Sequence, residues 1–255
     1  MTRRERVLTE LGLTPLWLHR RRLDEPGATS ESPGHATSHV AMPQHRTGHE
    51  VRAVEVMDWA DMREAAATCT SCVLHEKRKQ AVLGVGDEKA DWLFVGEGPG
   101  AEEDMRGEPF VGQAGKLLDN MLSAIGLKRG NNVYIANVVK CRPPGNRNPT
   151  PEETLACQPF LDRQIALLQP RLVVALGKVA ANTLLARGGT ALRARGGTLG
   201  SLRNTVHDYR GIPLIVTYHP AYLLRTLTDK AKAWEDLCFA VETMSGLSSA
   251  ARNVD

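Results

Sequence analysis

Apolar runs bounded by glycine or proline alternate along this chain with segments whose apolar positions recur at helical spacing. DWLFVGE (91–97), NVYIANVVK (132–140), RLVVALG (171–177) and IPLIVTYHP (212–220) read as strands. VMDWADMREAAATC (56–69), AGKLLDNMLSAIGL (114–127), KVAANTLLA (178–186) and DKAKAWEDLCFAVETM (229–244) read as helices. So does PTPEETLACQPFLDRQIALLQP (149–170), with Thr150 as N-cap and Pro151 in the first turn. The strand-like runs are apolar throughout rather than alternating, which suits a parallel sheet covered on both faces. The pattern predicts an α/β fold: a three-layer α/β/α sandwich around a central, mostly parallel, four-stranded sheet. Sites in such sheets gather at the carboxyl ends of the strands. Here those ends carry Gly96-Glu97, Asn137, Gly177 and His219-Pro220.

The beginning of the chain is different. Residues 1–22 read as a short helical and basic segment, with Leu16, Trp17 and Leu18 ahead of Arg20 to Arg22. Residues 23–50 are rich in Pro, Gly, Ser, Thr and His and hold almost no large apolar side chains, so they read as a disordered linker. The main domain is expected over 52–246, with a flexible tail at 247–255. The chain has 255 residues and a net charge of +3, which permits nucleic-acid binding without arguing for it. No secretory signal and no membrane span are read, so the expectation is a cytoplasmic protein without membrane association; a monomer is a separate expectation that the sequence itself does not decide.

Five cysteines without a signal peptide speak against a disulfide framework. Cys69 and Cys72 form a C-x2-C pair, and Cys141 and Cys157 lie far downstream. Four thiolates can hold zinc or an iron–sulfur cluster, and spacing alone does not choose. Cys238 falls on the apolar face of the last helix and reads as core.

The stretch GEGPGAEED (96–104) is a glycine-rich turn after a strand, yet it has neither the Lys-Ser/Thr of a phosphate loop nor dinucleotide glycine spacing. Its acids would repel phosphate. They suit a site that positions water or steadies a developing cation. Phe110 follows in the loop and can offer a stacking face to a planar ring.

GEGPGAEED, EPFVGQAGKLL, ANVVKCRPPGNRNPTPEE and TYHPAYLLR, in this order and spacing, resemble the family 4 (iron–sulfur) uracil-DNA glycosylases. The resemblance runs from about Cys69 to Met244. It implies the uracil-DNA glycosylase-like sandwich and a monofunctional enzyme acting on uracil-containing DNA in base excision repair. It implies a structural 4Fe-4S cluster on Cys69, Cys72, Cys141 and Cys157, with no catalytic metal and no nucleotide cofactor. Phe110 would stack on the flipped base, Gly98 would lie against it, and Asn137 would read its edge. His219 would donate to the uracil O2, and Glu97 or Glu103 would orient water. Leu223 or Leu224 would fill the gap in the DNA, and Arg225 would meet a phosphate. The sequence departs from the family at Ala101, where a glutamate is frequent. A related branch links covalently to DNA through a histidine in an Arg-rich insert, and KCRPPGNRNP holds no such histidine. The rival readings are action on other deaminated bases, a non-catalytic nucleic-acid-binding module, and an electron carrier. A replication or repair protein docking on the N-terminal segment is a further expectation.

Overall fold

Six strands form one mixed sheet in a computed structural model that describes residues 54–188 and 198–252. These residues fall within one unit of the chain, Arg46–Asp255. The N-terminal segment, the linker and the docking expectation lie outside the described residues.

The strands are β1 (Gly84–Gly86), β2 (Trp92–Gly96), β3 (Val133–Asn137), β4 (Leu172–Leu176), β5 (His207–Tyr209) and β6 (Ile212–Thr217), in the order β1-β3-β2-β4-β6-β5. The four central strands, β3-β2-β4-β6, are parallel. They correspond to the four apolar runs. The expected four-stranded sheet is widened by antiparallel edge strands β1 and β5. Each edge strand is three residues long, GVG and HDY, too short and too polar to make an apolar run. Short edges of this kind also limit unwanted strand pairing.

Every residue of β2, β3 and β4 is buried, and successive side chains divide between two cores. Leu93, Val95, Tyr134, Ala136, Val173 and Ala175 face one side. There they meet α1 (Trp59–Thr68), α4 (Pro151–Leu168), α5 (Lys178–Arg187) and the short α6 (Leu199–Leu202). Phe94, Ile135, Val174 and Ile215 face the other, where α3 (Gln113–Ala124) and α8 (Lys230–Arg252) pack. The period-two split is what a parallel sheet with two covered faces requires.

The start of α4 is fixed by a reciprocal cap. Thr150 Oγ1 accepts from the Glu153 N–H at 3.3 Å, and Glu153 Oε2 accepts from the Thr150 N–H at 2.8 Å. Arg147 adds two bonds to the same carboxylate, at 2.8 and 2.6 Å. Helix α8 extends to Arg252, past the expected end at Met244 and into the stretch expected as a tail. No described helix is long and apolar enough to cross a membrane.

Candidate active site and cysteine cavity

The carboxyl ends of β2, β3, β4 and β6 bring Gly96, Asn137, Gly177 and His219 to one place. Gly96 and Asn137 are direct partners across the β2–β3 ladder. A Cβ on Gly96 would stand 2.4 Å from Asn137 Oδ1 and 2.6 Å from Phe110 Cζ. Only glycine therefore lets the amide and the ring approach this closely. Asn137 is 2% exposed, and its Oδ1 is buried without a hydrogen-bond partner. Such an acceptor costs about 1–3 kcal/mol unless a donor arrives.

Phe110 lies beside the amide, 5.5 Å from the His219 ring at 31°. His219 caps α7 (Pro220–Leu223): its Nδ1 accepts the Ala221 N–H at 3.1 Å. That bond places the neutral ring's proton on Nε2, which is then a donor. Burial pushes the His219 pKa down to about 4, the nearby Arg225 charge adds to the fall, and Glu103 opposes it. The ring is neutral at physiological pH. Gly98 sits against the segment after Asn137, where a Cβ would meet Val139 Cγ2 at 2.8 Å.

The low pKa of His219 fixes a pH dependence. Above its unfolded value of about 6.5 the ring is neutral in both states. As pH falls from there toward about 4, the unfolded chain takes up a proton that the folded chain refuses, and stability is lost. His219→Gln is expected to remove this part of the acid destabilisation. Urea unfolding of both proteins at pH 7 and pH 5 checks it; equal losses in the two would contradict it.

The acids of GEGPGAEED have separate roles. Residues 101–106 form a short helix, α2 (Ala101–Arg106), that the sequence pattern did not reveal. Glu103 Oε1 accepts from the Val111 and Gly112 N–H groups at 2.9 and 3.1 Å, and its Oε2 accepts from Gly100 N–H at 3.1 Å. Buried Asp104 accepts from the backbone of Lys79 at 2.9 Å and of Gln80 at 3.4 Å. Glu102 is exposed and near Arg106. Glu97 is half-buried, burial raises its pKa, and its carboxylate has no bonded partner among the described residues.

Helix α7 and the turn after it separate the two leucines. Leu223 is 1% exposed and packed in the core beneath α3, whereas Leu224 is 42% exposed. Arg225 is exposed beside it. The turn is held by Tyr222 Oη donating to Asp229 at 2.6 Å and by stacking of Tyr222 on Tyr218 at 5.2 Å. Arg203 lies over the Tyr218 ring and is paired with buried Asp236.

Cys69, Cys72, Cys141 and Cys157 line one cavity together with His75, Arg78, Lys140 and Phe160. Cys69 ends α1, Cys72 precedes the 3-10 turn Val73–Glu76, Cys141 follows β3, and Cys157 lies in α4. Cys238 is elsewhere, half-buried on α8. Two donors face the sulfurs: Arg78 Nη1 at 3.0 Å from Cys141 Sγ, and the Lys140 N–H at 3.1 Å from Cys157 Sγ. Burial pushes the Cys157 thiol up to about 12 and the Lys140 ammonium down to about 8, while each charge partly rescues the other. The lining offers four sulfur ligands, no carboxylate and two cations, a set that suits a soft, thiolate-bound metal group. No group of His, Cys, Asp and Glu among the described residues is gathered as a single metal ion would need.

The Lys140 Nζ donates to the Asn137 carbonyl at 2.7 Å and to Gln164 Oε1 at 2.6 Å, joining the cysteine cavity to the end of β3. Sequence reading passed over Lys140 and Arg78. A lysine inside the otherwise apolar NVVKC was the available signal for the first.

The family model for the uracil DNA glycosylase superfamily matches residues 83–238. A type-4 uracil-DNA glycosylase of Pyrobaculum aerophilum is 43% identical over 185 residues, covering 71% of this chain and 92% of the relative. That of Archaeoglobus fulgidus is 43% identical over 168 residues, 64% of this chain and 82% of the relative. That of Thermotoga maritima is 44% identical over 170 residues, 66% of this chain and 84% of the relative. The matched span contains Glu97, Phe110, Asn137 and His219, and this chain belongs to the uracil DNA glycosylase superfamily.

Proposed function

We propose that this chain is a monofunctional uracil-DNA glycosylase that hydrolyses the bond between uracil and deoxyribose in DNA and leaves an abasic site. The observation that carries this is the buried, unpartnered Asn137 Oδ1 beside the Phe110 ring, which in turn stands against the His219 ring. Uracil flipped from the stack offers a planar face, an N3–H donor and the O4 and O2 acceptors. Its N3–H satisfies Asn137 Oδ1, the Asn137 amide donates to O4, and Phe110 stacks on the ring. Cytosine presents an acceptor at N3 and a donor at C4, so the same amide meets it with both signs wrong.

As the C1′–N1 bond breaks, its electron pair passes to the base. The anion that develops at O2 is met by His219 Nε2–H, already neutral and oriented. Water adds at C1′ and gives up a proton. Glu97 is the better of the two acids for this step, because both oxygens of Glu103 are engaged with backbone N–H groups. Glu97→Gln is expected to lower kcat about 100-fold with KM little changed. Glu103→Gln would instead loosen the turn and reduce stability. Equal kcat for wild type and Glu97→Gln in single turnover would remove Glu97 from the mechanism.

Leu224, rather than core-packed Leu223, fills the gap left by the flipped base, and Arg225 meets a flanking phosphate. The enzyme does not nick the strand: the Lys140 Nζ near the site is spent on the Asn137 carbonyl and Gln164 Oε1. Cys69, Cys72, Cys141 and Cys157 would hold a 4Fe-4S cluster, which supplies a structural cross-link between α1, β3 and α4.

The reading is tested with oligonucleotides carrying one uracil or one 3-methyluracil. Loss of the N3–H should slow base release at least about 1000-fold, since the amide oxygen stays unpaired and meets a methyl group. Comparable rates on the two would sink it.

A further inference from the structure

Phe110 has a φ of +55°, a left-handed conformation that a bulky residue adopts only when its surroundings impose it. Two restraints act on this turn from opposite sides. Glu103 holds the N–H groups of Val111 and Gly112. Arg129, on the loop between α3 and β3, holds the carbonyls before them: Nη1 donates to Pro109 O at 2.8 Å and Nη2 to Phe110 O at 2.8 Å. Its Nε donates to Asp119 Oδ1 at 3.0 Å, which fixes the plane of the guanidinium. Gly115 completes the seat, since a Cβ there would come within 1.8 Å of Phe110 O.

From this geometry we propose that Arg129 is a positioning residue for base recognition. It holds the Phe110 backbone in its strained conformation, so that the ring already stands against Asn137 and His219 before a base arrives. The inference rests on the reading of Phe110 as the stacking face. Lysine cannot replace arginine here, because a single ammonium does not present two parallel donors to neighbouring carbonyls. Without the clamp, the turn relaxes toward an ordinary φ and part of the binding energy for the base goes into restoring it.

The test is a double-mutant cycle on the full chain, reading inhibition by free uracil together with KM and kcat on a single-uracil oligonucleotide. Arg129→Ala is expected to weaken free-uracil inhibition and raise KM about tenfold, with kcat within about threefold of wild type. In a Phe110→Ala background the same change should cost less than about twofold, since Arg129 acts through the ring. Arg129→Lys should resemble Arg129→Ala, and it takes its place in the cycle if the alanine variant does not fold. Full recovery by lysine, unchanged uracil inhibition in Arg129→Ala, or multiplicative losses in the double variant would each overturn the proposal. If Phe110→Ala itself left uracil inhibition unchanged, the stacking reading would fall and the inference with it.

Discussion

Asn137→Ala is expected to lower uracil release by about 1000-fold, the scale for losing a preorganised hydrogen-bonding group that the reaction uses. Its effect on stability should be small and is the more telling number. A residue only 2% exposed would ordinarily be costly to truncate. Here the truncation also removes a buried acceptor that no protein group satisfies among the described residues. The lost packing and the relieved desolvation oppose each other, and the net change should stay within about 1 kcal/mol. Chemical unfolding beside single-turnover kinetics separates the two quantities. A large loss of stability with modest loss of activity would make Asn137 a structural residue.

The second large effect is expected at the cysteine cavity. Cys141→Ala should yield protein without stoichiometric bound iron and with a thermal midpoint lower by at least about 10 °C, because the energy of binding the cluster is part of the energy of folding. Its buried surroundings sharpen the effect: Arg78 loses its sulfur partner, and Lys140 is left with less negative charge nearby. The end of β3 should be disturbed as well, since the Lys140 Nζ holds the Asn137 carbonyl. Iron analysis, visible absorption and thermal unfolding read these together. Full activity in an iron-free Cys141→Ala protein would detach the cavity from the active site.

What could be read from the sequence follows how local each feature is. The four central strands announce themselves because a strand covered on both faces must be apolar throughout. The start of α4 is legible because Thr150 is an N-cap that accepts a first-turn N–H and Pro151 at the first position has no N–H to satisfy. The edge strands were not, since three residues of GVG or HDY carry no period. The acids of GEGPGAEED looked like one cluster, yet Glu103 and Asp104 are occupied by backbone groups from other segments, Glu102 lies near Arg106, and of the four Glu97 alone has no bonded partner among the described residues. Those bonds join residues distant in sequence and leave no local trace. The same holds for Arg129, twenty and nineteen positions from the two carbonyls it grips. Leu223 and Leu224 could not be told apart because α7 is a single turn, too short to display a face. Their burial separates them at once.

The most direct measurement is base release from a labelled oligonucleotide carrying one uracil, with abasic sites revealed as breaks after alkali. The account predicts breaks that require the alkali step, need no added cofactor, and disappear when cytosine replaces uracil. Protein with an intact cluster that releases no uracil, or that breaks the strand without alkali, would contradict it.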